Sequence, residues 1–234
     1  MLFPTPLIHG RLLRRYKRFL ADVELDDGQV VVAHCANPGA MTGLDMPGLS
    51  VWLEPNDDPK KKLDYGWRLL ELPGGAWVGI DTSVPNRVVK EALLDRKIGP
   101  LAAYSVVRPE VKYGQASRID FLLQQDGLAD AYVEVKNVHL SREAAWAEFP
   151  DSKTVRGTKH LNELAEMVRQ GHRAVMLYLV QRTDCQKFRL ARDIDPEYSA
   201  AFDAARALGV EILCYDSVID VDGVALGRSI DISL

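Results

Sequence analysis

The sequence predicts a small all-β unit followed by an α/β unit, and three observations carry that reading. Short alternating apolar segments fill residues 1 to about 80, turn-forming residues separate them, and from residue 84 helical periodicity alternates with strands. In the first half, FLADVEL, QVVVAHC, SVWLEP, WRLLELP and AWVGID are spaced by DDG, NPG, MPG, PNDDP and PGG, which suits a barrel. The change of texture places the expected boundary between domains of residues 1–82 and 83–234.

The second half opens with PNRVVKEALLDRK (85–97), where proline near the start and helically spaced apolar residues predict a helix. Strands are expected near YSVV, IDFLL and AYVEV. GTKHLNELAEMVRQG (157–171) sets Leu161, Leu164, Ala165 and Val168 on one face and stops at glycine, so it reads as an amphipathic helix. AVMLYLV (174–180) reads as a buried strand, and Asp195 with Pro196 as the cap and first turn of a last helix before VEILCY.

Composition narrows the function classes. A chain of 234 residues with 47% hydrophobic and 26% charged residues can bury a core. Its formal charge of −4 gives no long-range attraction to nucleic acid or an anionic membrane, so such binding needs a local patch. Cys35, Cys185 and Cys214 are far apart and lack zinc-site spacing, which argues for a reducing, cytoplasmic setting. The apolar stretch 174–180 is too short to span a bilayer, and no membrane partner is expected. The oligomeric state stays open, a homodimer among the options.

RIDFLLQQDGLADAYVEVKN (118–137) carries the chemistry. Two apolar strands flank a turn at Asp126 and Gly127, yet Asp120, Glu134 and Lys136 interrupt them. Residues two apart share a face of a strand, so Glu134 and Lys136 point the same way. With an odd-numbered loop centred on Gly127, Asp120 lies opposite Glu134. Facing carboxylates repel, and a hard divalent cation such as Mg²⁺ or Mn²⁺ between them relieves the repulsion. That combination suits phosphodiester hydrolysis. The plainer alternative is a solvated, salt-bridged sheet face.

A helix bearing an acid, then a hairpin reading ID…EVK, then helix and strand, resembles the PD-(D/E)xK nuclease superfamily. HCANPGAMTG (34–43), TSVPNRVVKEAL (82–93), GQASRIDFLL (114–123) and YVEVKNV (132–138) resemble, together, the sugar fermentation stimulation protein A family over nearly the whole chain. The resemblance implies an OB-like N-terminal barrel, a nuclease-like C-terminal α/β domain with a mixed central sheet, and DNA binding without strong sequence preference. It also implies a regulatory link to maltose metabolism. Carried over by position, Asp120 and Glu134 are metal carboxylates, Lys136 is the catalytic lysine, and Glu91 completes the catalytic and metal set from the helix. Glu91 shares a side of that helix with Val84 and Val88, so it can face the sheet. Ile119 stands where the superfamily name has proline.

Nucleic-acid contacts are expected at two places. RLLRRYKRF carries Arg14, Arg15 and Arg18 around Tyr16, with no acid in the first twenty residues. Guanidinium groups for phosphates and an aromatic face for bases suit an OB surface; a charged edge strand is the alternative. Strand alternation would put Arg14, Tyr16 and Arg18 on one side. Arg118 beside Ser117 can hold a phosphate or pair with the acids. Arg156, Lys159 and His160 open the helix after the site, where phosphate contacts or a solvated first turn are both open. His139 and His34 lack partners at ligand spacing and read as incidental, Lys60 to Lys62 as a basic loop diluted by acids, and ANPGAM as a turn.

Two functions fit these residues: a Mg²⁺-dependent nuclease acting on DNA, or a non-enzymatic DNA-binding regulator that keeps the fold. No phosphate-binding glycine loop supports an enzyme of sugar metabolism.

Overall fold

The computed structural model describes residues 1–114 and 117–233; two residues of the GQASRIDFLL stretch lie outside it. The first half is a curled antiparallel sheet of β1 (Ile8–Tyr16), β2 (Leu20–Leu25), β3 (Val30–Cys35), β4 (Ser50–Pro55), β5 (Tyr65–Glu71) and β6 (Trp77–Gly79). Strand order β3-β2-β1-β4-β5-β6, closed by parallel pairing of β3 with β5, makes the OB-like barrel. Alternation builds its core: Val31, Ala33 and Cys35 point inward while Val30, Val32 and His34 stay exposed.

The register of β1 shifts between Leu12 and Arg14. The extra residue resets the alternation, so Arg14 and Tyr16 stay on the outer face while Arg15 turns in. Arg15 donates from Nη2 to the carbonyls of Asn37 at 2.9 Å and Gly39 at 3.0 Å, and its side chain is only 9% exposed.

The second half runs α1 (Val84–Leu94), β7 (Val106–Tyr113), β8 (Ser117–Gln124), β9 (Ala131–Val138), β10 (Trp146–Phe149), α2 (Val155–Arg169), β11 (Arg173–Val180), β12 (Lys187–Leu190), α3 (Pro196–Ala207), β13 (Glu211–Ile219), β14 (Val224–Ser229) and β15 (Asp231–Ser233). The central sheet has order β14-β13-β11-β9-β8-β7, with β9, β11 and β13 mutually parallel and the outer strands antiparallel. A small parallel sheet β10-β12-β15 lies beside it.

Strand parity sorts the two faces of the central sheet. Val133 and Val135 pack with Val84, Val88 and Val89 of α1, whereas Tyr132 packs on the cluster that holds Leu161 and Leu164 of α2 and Phe202 of α3. Glu134 and Lys136 share the parity of Tyr132 and so meet α2. Among the described residues no helix is long and apolar enough to cross a membrane.

The two halves are fastened together through polar groups. Gly79 N–H donates to Gln181 O at 2.9 Å, and Trp77 and Thr183 exchange two bonds. The turn after β3 is clamped as well: Ala40 N–H donates to Asp151 Oδ2 at 2.9 Å.

Candidate functional site

Strands β8 and β9 pair through Phe121↔Val133, Leu122↔Tyr132 and Leu123↔Ala131. One step further that register sets Asp120 against Glu134, but there a side chain replaces the ladder: Asp120 Oδ2 accepts the Val135 N–H at 2.7 Å. Asp120 Oδ1 accepts from Asn86 Nδ2 at 2.7 Å. Asp120, Glu134 and Lys136 then line one pocket of about 250 Å³ with Asn86, Thr154 and His160.

Glu134 is 3% exposed. Its Oε1 accepts from Lys136 Nζ at 2.7 Å and from His160 Nδ1, while its Oε2 is buried without a hydrogen-bond partner among the described residues. Burial pushes the carboxyl up, and the His160 hydrogen bond and the Lys136 charge together outweigh it, so it sits below the usual carboxylate range. Asp120 goes the other way: burial first and the neighbouring Glu134 second push it up to about 6.

Helix α2 enters through its first turn. Thr154 Oγ1 accepts the Gly157 N–H at 3.1 Å and Thr154 N–H donates to Asp195 Oδ2 at 2.7 Å, which fixes the helix start at the pocket wall. Arg156 Nε donates to His160 Nε2 at 3.2 Å. Arg156 and His160 also line an adjoining, mainly basic pocket of about 380 Å³ with Glu110, Ser117, Arg118 and Lys159. Lys159 lies 3.7 Å from Glu163, and Ser117 donates to the same carboxylate at 2.8 Å.

Two expectations need correction. Glu91 is not brought to Asp120 and Glu134; its carboxylate is 56% exposed and pairs with the N-terminal ammonium at 2.6 Å. The buried stripe of α1 includes Pro85, Val89, Ala92 and Leu93 as well as Val84 and Val88, which leaves Glu91 on one flank and Asn86 on the other. Asn86 is therefore the residue that the helix supplies, a choice hidden by attention to its acid alone. Arg15 is likewise spent on backbone carbonyls rather than presented outward.

The basic segment otherwise divides. Arg14 lies 2.7 Å from Asp22 and 4.8 Å from the Tyr16 ring centroid, on the outer face. Arg18 sits beyond the strand, exposed in the tight turn with a left-handed φ of 66°. His139 has a structural place: it is 6% exposed, 2.9 Å from Asn137 Nδ2 and 3.2 Å from Asp151 Oδ2. Nothing in its spacing shows this, because Asp151 meets it only through tertiary packing.

Asp120 and Glu134 fit a hard divalent cation on one observation, the unpartnered buried Oε2 of Glu134 beside a second carboxylate. Among the described residues no cluster of three or more Asp, Glu, His or Cys able to hold an ion forms, so water would supply the remaining ligands.

An OB-like barrel joined to an α/β unit with a mixed central sheet, with Asp, Glu and Lys gathered where its central hairpin opens, defines the class: a two-part protein whose polar pocket lies in the second part. Family models bear on this directly, the sugar fermentation stimulation protein RE domain matching residues 83–223 and the SfsA N-terminal OB domain residues 13–80. The chain belongs to the sugar fermentation stimulation protein family. It is 65% identical over 233 residues to the homolog from Dinoroseobacter shibae, covering 99% of this chain and 96% of that one. Against the homolog from Roseobacter denitrificans it is 62% identical over 235 residues, covering 100% of both. Among solved structures it is similar to Pyrococcus furiosus SfsA in complex with Ca²⁺, with a TM-score of 0.89, 25% identity, and coverage of 100% of this chain and 98% of that one.

Proposed function

We propose that this protein is a divalent-metal-dependent nuclease that binds DNA without strong sequence preference and hydrolyses its phosphodiesters. The observation that carries the reading is Glu134 Oε2, buried and unpartnered among the described residues, on a residue that lines one pocket with Asp120 and Lys136. A buried carboxylate oxygen without a donor is costly unless a cation completes it. The solved relative contains Ca²⁺, which supports a hard-cation site in this fold.

Asp120 and Glu134 would hold Mg²⁺ or Mn²⁺, which supplies charge stabilisation at a phosphoryl oxygen and a more acidic water. Asn86 and the Val135 N–H orient Asp120; His160 orients Glu134. Lys136, with its ammonium at the pocket, is placed to steady negative charge on the attacking or non-bridging oxygen. Arg118, Arg156 and Lys159 in the adjoining pocket suit the neighbouring phosphates, and Arg14, Arg18 and Tyr16 extend the contact across the barrel.

A second reading, a non-enzymatic DNA-binding regulator of sugar metabolism, has its own support. Lys136 Nζ already sits 2.7 Å from Glu134 Oε1, and Glu91 brings no third carboxylate. Labelled DNA incubated with Mg²⁺ or Mn²⁺ separates the two: cleavage by the wild type but not by Lys136→Ala supports the nuclease, and intact DNA in every lane supports the regulator.

A further inference from the structure

Away from the carboxylates, the barrel has a cavity of its own, about 540 Å³ and within the range of ligand sites. It lies between the outer face of β2 and β3 and the connection from β4 to β5. Leu20, His34, Leu63 and Tyr65 give it apolar and aromatic walls, and Lys61 and Lys62 line it as well. Asp57, Asp58 and Asp64 of the same loop do not line it among the described residues, whereas Lys61 and Lys62 do. The exposed Phe19 ring is stacked on His34 at 6.4 Å between centroids and 27° between planes. Gly66 and Arg68 line it too, and a Cβ at Gly66 would stand 3.3 Å from the Arg68 guanidinium.

We propose that this cavity receives an unpaired nucleobase, with the flanking phosphates on Lys61 and Lys62, so that the DNA bound here carries a single-stranded segment. The inference rests on the DNA reading above and adds the substrate class. Walls of this kind suit the faces of a base and not a phosphodiester. A paired base cannot offer its faces to a pocket without being extruded, which costs unstacking energy that an unpaired base does not. Cations and aromatic side chains in one lining reproduce the two requirements of single-strand binding, charge for the backbone and stacking for the bases.

The test uses the full chain without divalent metal, to prevent cleavage, and fluorescence anisotropy with a labelled oligothymidylate and a blunt hairpin duplex. The wild type should bind the single strand about 10-fold tighter or more. His34→Ala, an exposed position whose loss leaves the barrel core intact, should weaken single-strand binding about 5- to 50-fold and leave the duplex unchanged. Lys61→Ala with Lys62→Ala should lower the salt slope for the single strand by about 0.7 for each phosphate that the variant no longer neutralises. Equal affinity for both DNA forms, with His34→Ala unaltered, overturns the pocket and leaves the DNA reading standing. Absence of binding to either form overturns that reading itself.

Discussion

Arg156 donates from Nε to Nε2 of His160 at 3.2 Å, and this bond sets the tautomer of the imidazole whose Nδ1 faces Glu134. With Nε2 accepting, the ring proton is on Nδ1 and is donated to Glu134 Oε1. Glu134 is thereby held with Oε1 engaged, while Oε2 stays buried and without a partner among the described residues. An Asn at position 160 can present an N–H near the Nδ1 position, whereas Phe cannot. His160→Asn should keep Mn²⁺ affinity within a few-fold, and His160→Phe should lower it about 10- to 100-fold. Calorimetric titration with Mn²⁺ checks this; equal losses in both variants would mean that the ring's bulk matters and its donor does not.

Asp120 makes stability depend on pH in a direction opposite to that of most carboxylates. Its folded value, about 6, lies above the ordinary 3.8, so the folded chain binds this proton more tightly than the unfolded one. The contribution is fully present below 3.8 and is lost as pH rises through about 6. Asp120→Asn removes the charge and keeps the shape. Without metal it should stabilise the protein by about 1–3 kcal/mol at about pH 8, an advantage that fades below about pH 4. Urea denaturation at the two pH values measures it, and a pH-independent gain would remove the buried charge as the cause.

Gly39 matters for space rather than for backbone conformation. A Cβ at this position would run into Asp151 Oδ2, the atom that also accepts the Ala40 N–H and faces His139 Nε2. Burial pushes the Asp151 carboxyl up and the His139 hydrogen bond pulls it down further, so its folded value ends below the usual range. Gly39→Ala should destabilise the chain by about 1–3 kcal/mol. Combined with Asp151→Ala the two losses should be less than additive, because both variants break the same clamp. Thermal unfolding of the four proteins decides the point; full additivity would place the Gly39 effect elsewhere.

What could be read from the sequence followed from local rules, and what could not came from packing at a distance. Barrel strands, the three helices and the Glu134–Lys136 parity are set by periods of 2 and 3.6 that any short window displays. The face-to-face placement of Asp120 and Glu134 needed only the hairpin register, which Gly127 centres. Glu91 misleads because two apolar residues do not define a helix face, and the buried stripe of α1 also contains Pro85, Val89, Ala92 and Leu93. Arg15 misleads because a bulge at Leu13 resets alternation without a sequence mark. The small sheet β10-β12-β15 was equally hidden, since parallel pairs join segments far apart in the chain.

The basic segment of the barrel is expected to act through Arg14 and Arg18, not through Arg15. Arg14 and Arg18 are exposed, and each phosphate that an alanine variant leaves unneutralised should flatten the log-log salt dependence of duplex binding by about 0.9. Arg15→Ala should instead leave that slope unchanged and cost about 1–3 kcal/mol of stability, because the Asn37 and Gly39 carbonyls lose their donor. Anisotropy titrations over a salt series, paired with urea denaturation, separate the two roles. A slope change in Arg15→Ala would show that the guanidinium leaves its carbonyls when DNA binds.

Lys136 distinguishes catalysis from binding because its ammonium cannot be a metal ligand. It lies 2.7 Å from Glu134 Oε1 and 3.1 Å from His160 Nδ1, where it offsets the negative charge that would attract a cation. Lys136→Ala removes a positive charge from the pocket, so Mn²⁺ affinity should be equal or higher. If the lysine stabilises charge during hydrolysis, turnover should fall about 10²- to 10⁴-fold in the same variant. Asp120→Asn should give the opposite separation: cleavage lost with metal binding, and metal-free DNA binding equal or tighter, because one carboxylate no longer repels the backbone. Calorimetry with Mn²⁺, run beside cleavage of labelled DNA on wild type and both variants, reads all of these quantities. A wild type that binds no divalent ion even with DNA present would end the nuclease reading, and the empty carboxylate pair would then act only to push DNA toward the basic surfaces.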